Sequence, residues 1–251
     1  MRTPTRRDSS GFVFVGGRLW LDFVNTDDEH HGRRADLLVD FDAWTRWLEA
    51  AGALDAERGV FLRRRGESQP MGATAALVDA RRVRAALRPL TERGAALERA
   101  HEGAASERSR EGAVAELNRV LARSAGTRRI EAGADGRFVR SFVAGGDAFA
   151  GLLLPIVESA GDSLVAGDLG RVRRCAAADC ARAYLDATRN RSRRWCDMAD
   201  CGNRAKAARH RRRAADAPTT TRRPAPTPRS TRVRSLRHPP SPPFARATKD
   251  P

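Results

Sequence analysis

Four cysteines, Cys175, Cys180, Cys196 and Cys201, are the only ones in this 251-residue chain, and they lie within 27 residues of one another. Their pattern is C-x4-C-x15-C-x4-C, two close pairs separated by a loop of hairpin length. Zinc(II) takes four thiolates in a tetrahedron, and two pairs on two loops supply that geometry with little strain. Disulfide pairing and four unrelated buried cysteines are the competing uses. Neither explains the symmetrical spacing. The basic start, Met1 to Asp8, is followed only by the short apolar run Phe12 to Gly17 before Arg18, which is too little for a secretory core. The longest apolar run, Ala148 to Val157, is about half of a membrane span. A reducing cytoplasm is therefore the expected location, and no membrane partner is expected.

Positive charge gathers around the same cysteines. Residues 1–170 carry 25 basic and 25 acidic side chains, whereas residues 171–251 carry 22 basic and 6 acidic ones and hold the whole formal charge of +16. A neutral body with a cationic C-terminal third has the charge distribution of a polyanion-binding device. All but two of the basic residues are arginines, whose guanidinium forks suit phosphates and base edges. Residues 171–213 alone hold 14 basic side chains against Asp179, Asp186, Asp197 and Asp200. The candidate DNA surface is Arg189, Arg191, Arg193 and Arg194 on the loop between the cysteine pairs, with Arg204, Lys206, Arg209, Arg211 and Arg213 on a helix after the last cysteine. Contacts of this kind hold and orient DNA without reading its sequence. The segment offers no array of exposed aromatics for stacking single strands; Trp195 and Tyr184 are expected to pack inward.

The elements that must position these groups follow from local signals. The reading is α+β: a mainly helical N-terminal domain with small antiparallel strands, then a treble-clef-like zinc finger. Residues 1–10 read as a disordered lead-in and 11–165 as the N-terminal domain. The finger occupies 171–213, and 214–251 form a basic, proline-rich, disordered tail. Phe12 to Val24 is expected to be a strand, a Gly16-Gly17 turn and a second strand. Asp40 caps a helix carrying Trp44, Trp47 and Leu48, ended by Gly52. A second helix follows Pro70 with Ala76, Ala80, Val83, Leu87 and Leu90 inward. A third, near 106–124, turns Val114, Leu117 and Leu121 inward. Strands 128–132 and 137–143 flank an Asp135-Gly136 turn. A last helix near 147–160 is expected to kink at Pro155. Leu164 to Arg174 connects to the finger, where Arg182–Asp186 and Arg193–Cys196 should pair as a hairpin before a helix beginning at Gly202. His30 and His31, among Asp27, Asp28 and Glu29, read as a solvated polar loop.

The run Trp195-Cys196-x4-Cys201-Gly202-Asn203-Arg204-x-Lys206, with Tyr184-x-Asp186 and Arg189-Asn190-Arg191 upstream, resembles the CGNR zinc finger. Phe14-Val15-Gly16-Gly17-Arg18-Leu19-x-Leu21-Asp22-Phe23-Val24-Asn25-Thr26 and the segment from Asp36 to Leu54 resemble the ABATE domain that usually precedes that finger. The resemblance spans roughly 11–213 and is sharpest over 171–206. It implies a bacterial, stress-induced transcription regulator whose finger is the DNA-binding part, with double-stranded DNA as partner and Zn(2+) as cofactor. The neutral domain is then expected to take a small-molecule effector or to mediate homodimer formation. An RNA- or ribosome-associated zinc protein and a zinc-dependent protein-interaction module are the alternatives. No nucleophile–base pair, paired carboxylates or phosphate loop stands out, so no catalytic residue is expected.

Overall fold

A computed structural model describes residues 6–7, 11–92, 103–124, 126–132, 138–145 and 149–215. Seven α-helices and four two-stranded antiparallel sheets are built from these residues. The Asp135-Gly136 turn, the start of the helix expected near 147 and the tail from 216 onward lie outside the described residues.

The first departure from the sequence expectation is informative. Val13–Phe14 (β2) is extended and pairs with Arg6–Arg7 (β1), so the expected lead-in contributes a short strand. Leu19–Val24, expected as the returning strand, is instead a six-residue helix, α1. Trp20, Leu21 and Phe23 are fully buried, and a short, mostly apolar segment fits a helix enclosed by packing as well as it fits a strand. Asp22 fixes the turn before it: its Oδ1 accepts from the amides of Val15 and Gly16 at 2.8 and 2.7 Å. A Cβ on Gly16 would lie 2.8 Å from the Asp22 nitrogen and from Leu21 Cβ, so this position needs glycine for close approach.

The helices around α1 form the core. Phe41–Ala50 (α2) begins at Asp40, whose carboxylate accepts from the Ala43 amide, and it buries Trp44, Trp47 and Leu48. Gly52, at φ +73°, follows its end as expected. Ala56–Ser68 (α3) was not legible, because its charged run dilutes an apolar stripe that consists of Leu62 between Gly59 and Gly66. Pro70–Thr91 (α4) buries Ala80, Val83, Leu87 and Leu90, with Ala76 packed at the margin. Gly103–Arg123 (α5) turns Ala113, Leu117 and Val120 inward, while Val114 and Leu121 remain about 40 % exposed. The stripe is displaced because the buried face includes Glu116, which Arg119 and Arg82 neutralise. Gly126–Ala132 (β5) and Phe138–Ala144 (β6) pair as an antiparallel hairpin, as expected, with Ala132 opposite Phe138. Leu154–Val165 (α6) carries Pro155 in its first turn, where no amide is needed, and so the expected kink is replaced by a helix start.

Asp27–His30 (β3) and Arg33–Asp36 (β4) form a hairpin tied to α4. Arg84, 4 % exposed, forks onto Asp36 with two 2.7 Å contacts and donates to Thr26 Oγ1 at 2.9 Å. Burial alone would raise the Asp36 carboxyl, but Arg84 and the Leu38 amide carry it below its ordinary value. Val172–Arg174 (β7) then pairs with Ala183–Leu185 (β8), and β8 is buried on both faces. Ala183 and Leu185 join the main core, while Tyr184 points into a second cluster with the four cysteines and Val15. One strand is therefore the common wall of both parts of the chain.

Removing one partner of a buried ion pair costs about 3–5 kcal/mol when the other is left dry. Asp36 is partly open to solvent, and so Arg84→Ala is expected to cost about 2–3 kcal/mol, less than a fully buried pair would. Denaturant unfolding of metal-loaded protein checks this, and a change below about 0.5 kcal/mol would show that the pair contributes nothing.

Candidate metal centre

The four sulfurs converge from two turns. The turn between β7 and β8 brings Cys175 and Cys180, with the Cys175 amide donating to Arg182 O and the Cys180 amide to Ala177 O. Cys196 ends the long loop after β8. Cys201 sits in a single π-helical turn, Met198–Gly202, which runs into Asn203–Ala215, the last helix, α7. Cys180 Sγ and Cys201 Sγ each lie 3.7 Å from Cys196 Sγ, and all four sulfurs fall within 4.8 Å of one another. Zn–S bonds of 2.3 Å in a tetrahedron place sulfurs about 3.8 Å apart, so the donor set fits zinc. Disulfide bonding, with sulfurs about 2.05 Å apart, is ruled out; all four are free and buried.

Protonated, the cluster is awkward. Hydrogen bonds to its sulfur neighbours, with burial behind them, push the Cys180 and Cys196 thiols up, and burial raises Cys201. Cys175, which Cys180 and Cys196 hydrogen-bond, is held down. A divalent cation relieves this by replacing the shared protons. The N-terminus of α7 also meets the cluster, and its dipole favours thiolate there.

The residues after the last ligand divide their tasks. A Cβ on Gly202 would lie 2.4 Å from Met198 Sδ and 3.1 Å from the Trp195 ring, so the close approach is to that thioether and indole rather than to a cysteine. Asn203 Nδ2 donates to Ala199 O at 3.1 Å and closes the π-turn. Arg204 forks onto Asp179 of the first knuckle and holds that carboxyl below its ordinary value. The signature thus supplies a ligand, a tight contact, a turn lock and a strut between the two knuckles.

The expected pairing of Arg182–Asp186 with Arg193–Cys196 is not formed; β8 pairs with β7 instead. Asp186, fully buried, shapes the return of the loop by accepting from the Thr188 and Arg193 amides and from Thr188 Oγ1. Arg193 turns inward. Its guanidinium stacks 4.2 Å from the Tyr184 ring centroid and donates to the carbonyls of Val15, Trp195 and Cys196. Tyr184 is buried as expected, its hydroxyl donating to Arg193 O, and Trp195 is half-buried beneath Arg194. Of the nine candidate cations, Arg193 and Arg204 therefore brace the fold. Arg189, Arg191 and Arg194 on the loop and Lys206, Arg209, Arg211 and Arg213 on α7 are exposed.

The finger is also bonded to the N-terminal domain. Asn25 exchanges two side-chain hydrogen bonds with the Ala183 backbone, at 2.8 and 2.9 Å. The β3–β4 hairpin runs beside the first knuckle: Ala181 N donates to Glu29 O, and Gly32 N to Asp179 O. Arg182 meets the buried Asp28, whose carboxyl is pushed up to about 6 because burial outweighs the guanidinium. His30 Nδ1 lies 3.3 Å from Cys180 Sγ, and both His30 and His31 reach Asp200. The polar run 27–31, expected to be a solvated loop, is a strand and turn docked on the finger. A run of polar residues with no apolar alternation hides such a strand, which meets the finger through backbone bonds and through Arg182 and Asp200.

A tetrathiolate knuckle docked on a helical domain defines a zinc-finger protein. Residues 171–214 match the CGNR zinc finger family, and residues 17–168 match the ABATE family, described as "Putative stress-induced transcription regulator". The chain belongs to the ABATE family and carries a C-terminal CGNR zinc finger. A search of curated proteins returns no match. Among the described residues no helix is long and apolar enough to cross a membrane.

Because the raised thiols must lose protons to bind metal, zinc affinity is expected to fall as pH falls. Competition with a chromophoric chelator should give an affinity at least about a hundredfold weaker at pH 6 than at pH 8. A flat profile would mean that the thiols are already ionised without metal.

Proposed function

We propose that this protein is a zinc-dependent DNA-binding transcription regulator whose contact surface is α7 together with the loop around Arg189 to Arg194. The observation that carries this reading is α7 itself. It has no buried residue and no acidic one, and among the described residues its Lys206, Arg209, Arg211, Arg212 and Arg213 form no ion pair. Like charges three and four residues apart destabilise a helix. Such a helix gains most from a polyanion along its length. At 13 residues it spans about 20 Å, a length suited to lying in a major groove.

The zinc centre's part in this is mechanical. Cys201 fixes the first turn of the helix, and the contact between Arg204 and Asp179 sets its angle to the first knuckle. The loop turns at Arg191, at φ +50°, just after Arg189 and Asn190. The family match supports a regulatory role. The charge-balanced N-terminal domain is the natural seat of the signal, through a small-molecule effector or a second copy of the chain.

If five to seven phosphates are neutralised, the slope of log K against log salt is about −4 to −6 for duplex DNA. Replacing Arg209, Arg211 and Arg213 together with Ala should flatten that slope by about 2–3 and leave zinc content unchanged. Fluorescence anisotropy with duplex DNA, structured RNA and chelator-treated protein separates the readings. A slope near zero, or equal binding without zinc, contradicts the proposal, and stronger binding to RNA favours an RNA-associated role.

A further inference from the structure

The turn between β3 and β4 brings two imidazoles to one carboxylate of the finger. His31 and Gly32 are its central residues, at φ +58° and +69°, the left-handed pair of a two-residue hairpin turn. His30 precedes them, and the two rings stack with centroids 3.9 Å apart. Nε2 of His30 lies 2.9 Å from one oxygen of Asp200, and Nε2 of His31 lies 2.9 Å from the other. The donor atoms of His30, His31 and Asp200, with Cys201 Sγ of the tetrathiolate set beside them, all fall within 4.8 Å of one another. Two of the three come from the N-terminal domain and one from the π-turn of the finger.

Hydrogen-bond valence at His30 makes this more than a polar contact. Its Nδ1 faces Cys180 Sγ, which is a thiolate acceptor once the tetrathiolate centre is formed, so Nδ1 carries the hydrogen. Nε2 then presents a lone pair to a carboxylate oxygen, which also has only lone pairs to offer. A proton on Nε2 or a metal ion satisfies such a pair at 2.9 Å, and the second imidazole on the other oxygen of the same carboxylate points to the metal. Two imidazolium rings stacked at 3.9 Å would repel each other, whereas one divalent ion satisfies both rings and the carboxylate together. In a tetrahedron with ligands 2.0–2.1 Å from the metal, donor atoms lie about 3.3 Å apart, so the observed contacts need to open by less than half an ångström. Four thiolates nearby add negative charge, while Arg204 and Arg182, the neighbouring cations, are paired with Asp179 and Asp28.

We propose that His30, His31 and Asp200 form a second divalent-metal site, adjoining the tetrathiolate centre at Cys201 and lying across the seam between the N-terminal domain and the finger. Two imidazoles and one carboxylate select a borderline ion such as Zn(2+), Co(2+) or Ni(2+) over Mg(2+) or Ca(2+). His31, whose side chain is 44 % exposed, leaves the site accessible from solvent. Occupancy fastens the β3–β4 hairpin to the π-turn. The inference rests on the tetrathiolate centre and not on DNA binding.

The test is a Co(2+) titration of metal-free, full-length protein under reducing conditions, followed by absorption and by metal content after gel filtration. The first equivalent should bring intense thiolate-to-cobalt charge-transfer bands. The second should add only weak ligand-field absorption and bring the content to two ions per chain. His31→Gln, a change at an exposed turn, should keep the charge-transfer bands and weaken the second equivalent at least tenfold; Asp200→Asn should do the same. Saturation of the wild type at one ion per chain overturns the proposal, as does an unchanged second equivalent in His31→Gln. In the first case a proton holds the His30–Asp200 contact. In the second, histidines elsewhere in the chain take the metal.

Discussion

Four buried sulfurs held less than 5 Å apart are the constraint around which the C-terminal part of this chain is arranged. As thiolates they repel one another; as thiols they bury hydrogens with few good acceptors. A divalent cation resolves the conflict, and the surrounding residues keep the sulfurs at the spacing it requires. The finger's own core, Tyr184 with the cysteines and Val15, is too small to do so alone. Its strand β8 therefore shares its other face with the helical core, through Ala183 and Leu185.

This sharing changes what the charge division in the sequence means. The neutral domain and the cationic finger differ in surface, yet Asn25, Arg182, Asp28, Glu29 and the two histidines bond them at the backbone and at the metal ligands. Any movement of the β3–β4 hairpin reaches Cys180 through one hydrogen bond. In the regulator proposed above, this sharing leaves no long path between input and output. Its two parts share the same few residues.

Much of the site was legible because ligand chemistry is local. The cysteine spacing pointed to a tetrathiolate centre, and the Asp40 cap, Gly52 and the periodicity after Pro70 placed two helices. The failures have physical causes. Leu19–Val24 has five apolar residues around one buried aspartate, so no clear period separates strand from helix. Glu116 takes a buried position that a purely apolar stripe assigns elsewhere. Arg193 and Arg204 look identical to their exposed neighbours in sequence, and only the positions of the Tyr184 ring and Asp179 turn them inward. The docked run Asp27 to His31 is polar throughout because it meets the finger through backbone amides and carbonyls, Arg182 and Asp200.

The central claim is that metal centre and N-terminal domain form one cooperative unit that presents a cationic helix. Hydrogen–deuterium exchange on the full-length protein, with zinc bound and after its removal, tests this most directly. The account predicts that zinc removal strips protection from residues 172–204 and, together with them, from 15–16 and 25–32, while α2 and α4 stay protected. Loss of protection confined to residues 172–215, with 25–32 unchanged, would contradict it.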